Sequence, residues 1–378
     1  MRDYFRRENP IHFIFPIDGD CLNDNDRTAD RDAFTIKVKV YAARDAELFI
    51  NEKKAVYNGN CFEADIPLIG YRNTLEAVDK RAEGAGESIA VYRLDQAAGK
   101  YRISIDDVIF AMQDLTVHKD TYQSVFDNPF LKVFKEAHDR YGLKISLNLF
   151  YETDEMTDFS KKHDYFNLSM MTDAYKEEWK ANADWLLFTF HARKEHPDYP
   201  YRNTTAENIR TDCELVHREI LRFAGKECLA DVATLHWSTT NEIGARTLRA
   251  LGYKGMLGFF ILDANKEPYV SYFYPADLTE HIGSRDFWKD NAEDMICVRI
   301  DLVLNELRSH NLEERLEEVV RHPGRGGFLE MVIHEQYFYE DYREYISEYG
   351  DLILNTCKFL SSRNYKPVFL REVMFENA

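Results

Sequence analysis

From about residue 100 onward, short apolar segments alternate with amphipathic segments, and this rhythm constrains the fold more than any other feature. Apolar segments four to eight residues long predict strands that are largely buried. Strands that alternate with helices predict βα units and a parallel sheet. Seven or eight such units in one region predict an α/β fold, a distorted (β/α)7–8 barrel. The predicted strands are 102–105, 144–151, 185–190, 231–235, 256–261, 295–300, 328–333 and 367–370.

The helices between these strands carry recognisable boundary signals. Asn128 and Pro129 are typical of a helix start, and Gly142 is typical of a helix end. Thr204-x-x-Glu207 and Thr239-x-x-Glu242 have the spacing of capping boxes that open two further helices.

The first hundred residues have a different pattern. Phe34, Ile36, Val38 and Val40 alternate with polar residues, which predicts a half-buried strand, and no long amphipathic helix follows before residue 100. A chain of 378 residues is longer than one hydrophobic core usually supports. We therefore predict two domains, a small β-sandwich over residues 1–98 and the barrel over residues 99–378.

Ionisable residues stand where several predicted strands of the barrel end. These strand ends carry Asp106-Asp107, His191 with His196, His236-Trp237 and His334-Glu335, and Glu152 and Asp301 also follow strands. Loops at the carboxyl ends of barrel strands form one common mouth. A catalytic divalent ion typically takes three His or carboxylate ligands, and a free carboxylate nearby can accept a proton from water. The pattern therefore predicts a metal site at this mouth.

These strand ends resemble the motifs of the polysaccharide deacetylases, in that family's order, from about residue 101 to 373. Ser104-Ile105-Asp106-Asp107-Val108 is similar to the family's Thr-Phe-Asp-Asp-Gly, without its glycine. The segment from His191 to His196 resembles the His-Ser/Thr-x-x-His motif, and Val332-Ile333-His334 matches the Leu-x-His motif. The resemblance implies that Asp106 is the general base, that His334 is the general acid, and that Asp107 and His191 hold the metal.

Two departures from the family pattern affect the site. The two histidines of the second motif lie five positions apart rather than four, so on a helix their rings would point roughly 140° apart. The family's Arg-x-Pro-x-Gly motif is missing, and His236-Trp237 stands at the end of the fourth strand instead. Either His196 or His236 could therefore be the third ligand. We narrowly favour His236.

The resemblance implies a metal-dependent hydrolase that acts on a carbohydrate, by removal of an acetyl group, with a divalent ion that we expect to be zinc. Aromatic and polar residues near the strand ends are candidates for contact with the sugar. These candidates are Trp237, Glu335, Tyr337, Glu152 and Asp301.

Composition excludes several other classes. A formal net charge of −18 disfavours nucleic acid and anionic membranes as partners. The six cysteines form no Cys-x-x-Cys pair, and the charged start is neither a signal peptide nor a membrane span. We therefore expect a cytoplasmic protein. Two alternative functions stay open: a carbohydrate-active barrel enzyme without deacetylase activity, and a glycan-binding protein without catalysis.

Overall fold

The computed structural model describes residues 4–28, 33–82, 84–94, 96–154 and 156–375. The strands are β1 His12–Phe15, β2 Cys21–Leu22, β3 Thr35–Tyr41, β4 Leu48–Ile50, β5 Lys53–Lys54, β6 Val56–Tyr57, β7 Phe62–Pro67, β8 Arg72–Asp79, β9 Gly86–Arg93, β10 Lys100–Val108, β11 Ile145–Phe150, β12 Leu186–Ala192, β13 Val232–Ala233, β14 Gly255–Gly258, β15 Ile261–Leu262, β16 Pro268–Tyr269, β17 Phe287–Asp290, β18 Met295–Arg299, β19 Leu302–Val303, β20 Phe328–His334 and β21 Lys366–Pro367. The α-helices are α1 Phe110–Val117, α2 Pro129–Tyr141, α3 Lys176–Ala181, α4 Ala206–Phe223, α5 Glu242–Ala250, α6 Ala276–Gly283, α7 Leu312–Val320 and α8 Tyr349–Ser362.

The first nine strands form two mainly antiparallel sheets. One has the order β1-β3-β7-β6, and the other has the order β2-β9-β8-β4-β5. Apolar residues of both sheets, among them Val38, Ile50 and Leu75, belong to one hydrophobic cluster. The alternation at residues 34–40 corresponds to β3, in which Ile36, Val38 and Val40 are fully buried.

The later strands are mostly parallel and alternate with helices, so the mixed α/β prediction is confirmed. Hydrogen bonds divide these strands between two sheets, β12-β11-β10-β20-β19 and β13-β14-β18-β17. An isolated bridge from Phe188 to Leu229 links β12 to the segment before β13. On the other side, β18 continues through Asp301 into β19, where the Asp301 N–H donates to the Glu330 carbonyl. A further cluster, which includes Tyr92, Leu257 and Phe287, packs the N-terminal strands against the second sheet.

The helix boundaries show what local sequence can predict. The Asn128 side chain accepts from the Leu131 N–H, and Gly142 ends α2 with a φ of 71°, both as expected. The two capping boxes were wrong by one or two positions. Thr205 caps α4 and Asn241 caps α5. Thr204 instead donates its hydroxyl to the Thr205 carbonyl.

Strand register brings the predicted site residues to one edge. Strands β10 and β20 are parallel and pair Asp106 with His334. Strand β11 pairs with both β10 and β12, which carries His191 near its end. Carboxyl ends of neighbouring parallel strands meet at the same edge, so these residues converge there. No helix in the described part of the chain is both long and apolar enough to cross a membrane.

Candidate metal centre

Asp107, His191 and His236 converge at this edge, and all three are buried. Asp107 Oδ1 lies 3.0 Å from His191 Nε2 and 3.3 Å from His236 Nδ1. The two imidazole nitrogens lie 3.1 Å apart. The three side chains come from the ends of β10 and β12 and from the turn after β13.

Hydrogen bonding determines which His191 nitrogen can bind a cation. His191 Nδ1 contacts the Thr234 carbonyl oxygen, which can only accept, so Nδ1 carries the hydrogen. In the neutral ring, Nε2 therefore presents a lone pair toward Asp107 Oδ1. Metal-binding histidines characteristically donate their other ring N–H to a carbonyl in this way.

The electrostatics of the centre favour an ionised carboxylate at Asp107. Burial would raise the pKa of Asp107, but its close interactions with His191 and His236 outweigh burial and hold this pKa well below its usual range. Burial would lower the pKa of His191, but the charges of Asp106 and Asp107 raise it overall. Asp107 has a φ of 63°, which is uncommon for a residue other than glycine, and its Oδ2 accepts from Gln336 Nε2 at 2.8 Å.

The donor set fits a small divalent cation. Ligand atoms about 2.0–2.2 Å from a tetrahedral zinc are about 3.3–3.6 Å from one another. The three atoms here are 3.0–3.3 Å apart, which is close to that spacing. Two imidazoles and one carboxylate also leave a position open for a further ligand, as catalytic sites do.

The predicted general base, Asp106, is buried next to this centre. Its Oδ1 accepts hydrogen bonds from the Asn148 amide and, at 3.3 Å, from the Ser104 hydroxyl. Asn148 lies on β11, beside β10, and its amide also donates to Ser104 Oγ at 2.6 Å. These two hydrogen-bond partners are neutral, so they orient Asp106 without adding charge.

The predicted general acid, His334, is held in one tautomer by Asn305. The backbone N–H of His334 donates to Asn305 Oδ1 at 3.1 Å, which identifies that atom as the amide oxygen. His334 Nδ1 lies 2.8 Å from the same oxygen and therefore carries a hydrogen. Nε2 is then the nitrogen free to exchange a proton with a reacting group.

His196 is not brought together with the three converging residues. It lies in the loop after β12, where its backbone N–H and its Nδ1 both contact Asp154 Oδ2, at 3.0 and 3.1 Å. Strand β12 ends at Ala192, so His196 is four places beyond the strand that positions His191. The loop turns its ring toward Asp154 instead.

The five predicted sugar contacts are separated by the fold. Trp237 lies beside His236, with ring centroids 5.9 Å apart, and Tyr337 lies 6.1 Å from the His334 ring. Glu152 lines the recess beside Asp107 and accepts from Arg193 Nε at 2.9 Å and from the Tyr165 hydroxyl at 3.1 Å.

The other two are engaged within the protein. The side chain of Asp301 is only 2% exposed, pairs with Arg299 at 2.8 Å and accepts from the Glu330 N–H. Burial raises the pKa of Asp301 to about 6. Glu335 is fully buried and accepts from the N–H groups of Ile109, Phe110 and Ala111 at the start of α1.

Several residues of the site had no signal in the sequence. Three amide side chains each contact one predicted site residue: Asn148 contacts Asp106, Asn305 contacts His334 and Gln336 contacts Asp107. An isolated amide in a sequence carries no motif. Glu195 lines the same recess as Asp107, Asp154 and Gln336. Burial, together with the charges of Asp107 and Asp154, raises the pKa of Glu195 to about 8. In the sequence, the one indication that Glu195 belongs to the site was its position inside the His191–His196 segment.

Comparison with known proteins gives matches in structure alone. No family model matches the chain, and no curated protein does. A CE4 family pseudoenzyme from Bacillus anthracis aligns at 12% identity over 74% of this chain and 66% of that chain, with a TM-score of 0.37. A peptidoglycan N-acetylglucosamine deacetylase aligns at 10% identity over 74% and 90%, with a TM-score of 0.38. This chain resembles the polysaccharide deacetylases in structure. A 4-alpha-glucanotransferase from Thermococcus litoralis also aligns, at 11% identity over 73% of this chain and 39% of that chain, with a TM-score of 0.41.

Proposed function

We propose that this protein is a metal-dependent hydrolase that removes an acetyl group from a carbohydrate. The observation that carries the proposal is the buried convergence of Asp107, His191 and His236. Asp106 and His334, paired in register on adjacent strands, stand beside it. A buried set of perturbed titratable groups at the carboxyl ends of strands is characteristic of a catalytic site.

Asp107, His191 and His236 would hold the metal, which we propose is zinc. When bound, such an ion polarises an acyl carbonyl and lowers the pKa of water. In this proposal Asp106 accepts the proton of the attacking water, in the orientation that Asn148 and Ser104 impose. His334, with Nδ1 fixed on Asn305, delivers a proton from Nε2 to the leaving amine or alcohol.

We further propose that the two sheets of the parallel region form one distorted barrel, closed by the Phe188–Leu229 bridge and by the run of β18 into β19. The two N-terminal sheets would then form a separate β-sandwich domain that ends near residue 98. All six cysteines are free and buried, which suits the reducing compartment of a cytoplasmic enzyme.

One observation favours a second candidate, a carbohydrate-active enzyme of this fold that carries out a different reaction. The carboxylate of Asp106 is hydrogen-bonded by a neutral amide and a hydroxyl. Neither partner is cationic, so nothing at these contacts replaces the missing Arg-x-Pro-x-Gly motif. Acetate release separates the two candidates.

The metal half of the proposal is tested by elemental analysis of the purified protein. We expect one equivalent of a divalent metal in the wild type and less than a tenth of that in Asp107→Ala and His191→Ala. His196→Ala is the matched control, because His196 follows the same strand but contacts Asp154, and its metal content should equal that of the wild type. Unchanged metal in both Asp107→Ala and His191→Ala would end the proposal.

The catalytic half is tested by acetate release from a panel of acetylated amino sugars and acetylated glycans. Asp106→Asn and His334→Ala should each lower the rate by about 100- to 10,000-fold, the usual contribution of a general base or acid. Activity that survives both substitutions would remove these residues from the mechanism. A folded, metal-loaded protein that releases no acetate from any substrate would favour the second candidate.

A further inference from the structure

Three aromatic side chains form a row that leads away from the metal centre. The ring of Trp237 is 5.9 Å from that of His236, and the ring of Tyr199 is 4.8 Å from that of Trp237. The phenol group of Tyr269 interacts with that of Tyr199, and this interaction is the main cause of the raised pKa of Tyr269. At the outer side, the guanidinium of Arg202 lies 4.0 Å over the Tyr199 ring. We call Tyr199, Trp237 and Tyr269 the aromatic row.

The aromatic row is built from loops on the same edge as the metal centre. Tyr199 follows β12, Trp237 follows β13, and Tyr269 lies in the β15–β16 hairpin that follows β14. The Tyr272 N–H donates to the Ser238 carbonyl at 2.9 Å, which ties the base of this hairpin to the turn that carries His236 and Trp237. The row therefore extends the centre on the side of β12, β13 and β14.

The aromatic row is not part of the hydrophobic core. None of its members belongs to the clusters formed by the described buried residues. Tyr269 is 37% exposed, and its cross-strand partner Ile261 is 40% exposed. Directly paired residues project to the same side of a hairpin, so the two form one exposed apolar surface.

The backbone at the aromatic row adopts energetically unfavourable conformations. Tyr199 has a φ of 53° and Trp237 a φ of 61°, while Val270, next to Tyr269, has a φ of 46°. For residues other than glycine such values cost roughly 1–3 kcal/mol each, and a β-branched residue is a pronounced outlier. Positions of this kind cluster where a ligand is gripped.

We propose that the aromatic row is a subsite for the sugar next to the one held at the metal centre, so that the substrate is an oligosaccharide rather than a monosaccharide. This inference rests on the proposed function, because it places the reacting sugar at Asp107, His191 and His236. The apolar face of a pyranose ring packs on partly exposed aromatic rings, while its hydroxyl groups need hydrogen-bond partners. Arg202 supplies hydrogen-bond donors at the outer side of the row.

Tryptophan fluorescence of the full chain gives a direct test. Of the four tryptophans, Trp179, Trp185 and Trp288 are at most 2% exposed, so quenching by acrylamide reports mainly on Trp237. Cellotetraose, xylotetraose and chitotetraose are titrated against the protein in EDTA, each beside its monosaccharide. We expect at least one tetrasaccharide to protect Trp237 and to bind at least tenfold more tightly than its monosaccharide.

Variants then locate the binding. Tyr269→Ala and Tyr199→Ala should weaken tetrasaccharide binding about tenfold, and should change monosaccharide binding less than twofold. Tyr199→Phe keeps the ring and should bind within about threefold of the wild type, which controls for misfolding. Tyr41→Ala is the matched surface control, because Tyr41 is 48% exposed and lies on β3. Its affinity should be unchanged.

The outcomes separate this inference from the proposed function. Tetrasaccharide binding that depends on Tyr199 and Tyr269 in a protein that releases no acetate supports the subsite and counts only against the reaction. Equal affinity for every tetrasaccharide and its monosaccharide overturns the subsite, as does no binding at all. Loss of affinity in Tyr41→Ala equal to that in Tyr269→Ala overturns it as well.

Discussion

Replacement of Glu335 by alanine should destabilise the fold without any direct effect on substrate binding. The Glu335 carboxylate is fully buried and accepts from the backbone N–H groups of Ile109, Phe110 and Ala111, at 2.7, 3.0 and 2.6 Å. It also accepts from the Tyr339 hydroxyl at 2.8 Å. These N–H groups stand at the start of α1, where no carbonyl of the helix can reach them.

The magnitude follows from what the substitution leaves unpaired. Each buried donor without an acceptor costs about 1–3 kcal/mol, and four donors lose their acceptor together. The carboxylate itself is costly to bury, since burial raises the pKa of Glu335 to about 7 despite the four hydrogen bonds. We therefore expect Glu335→Ala to lower the free energy of unfolding by about 3–5 kcal/mol. Glu335→Gln, which keeps one acceptor oxygen, should lower it by about 1–3 kcal/mol.

Urea denaturation followed by circular dichroism in EDTA measures this free energy. Glu340→Gln is the control, because Glu340 is exposed in the same segment and should change stability by less than about 0.5 kcal/mol. The reasoning fails if Glu335→Gln and Glu335→Ala both unfold like the wild type. It also fails if either variant keeps wild-type stability but binds oligosaccharide more weakly, which would make Glu335 a substrate contact.

Three further predictions concern the acid, the pH dependence and the domains. Asn305→Ala should lower kcat about tenfold or more with little change in KM. Asn305→Asp, which places a negative charge beside His334, should move the basic limb of the pH–rate profile to higher pH. Identical pH–rate profiles for the wild type and Asn305→Asp would contradict the role of Asn305. Burial raises the pKa of Asp301 to about 6 and that of Glu330 to about 7, so between pH 5 and 8 the folded state binds more protons than the unfolded state. The free energy of unfolding should therefore fall as pH rises through this window. Urea titrations that give a higher free energy of unfolding at pH 8 than at pH 5 would refute the argument. Limited proteolysis with mass spectrometry should cut first within residues 82–88, and first cuts confined to residues 100–378 would count against a separate N-terminal domain.

Local patterns in the sequence determined the elements of this fold. Alternation at residues 34–40 gave β3, and Asn128, Pro129 and Gly142 gave the limits of α2, because burial and capping depend on a few neighbouring residues. Polar residues at strand ends identified Asp106, Asp107, His191, His236 and His334 as candidates, because parallel strands bring their carboxyl ends to one edge.

Only the tertiary structure decided which of these residues meet. His196 and His236 were both candidates as third ligand. The spacing of His196 from His191 gave only a weak preference for His236. Packing of β13 beside β12 puts His236 Nδ1 3.3 Å from Asp107 Oδ1, while the loop after β12 turns His196 toward Asp154. Such contacts join residues far apart in sequence, so no local pattern records them.

The same reason explains the partners of the site. Asn148, Asn305 and Gln336 lie on different elements, and each becomes a hydrogen-bond partner only when strand register sets it beside Asp106, His334 or Asp107. Glu335 was a candidate sugar contact because it follows His334. The fold buries it at the start of α1, since the helix amides need an acceptor that the sequence does not place nearby.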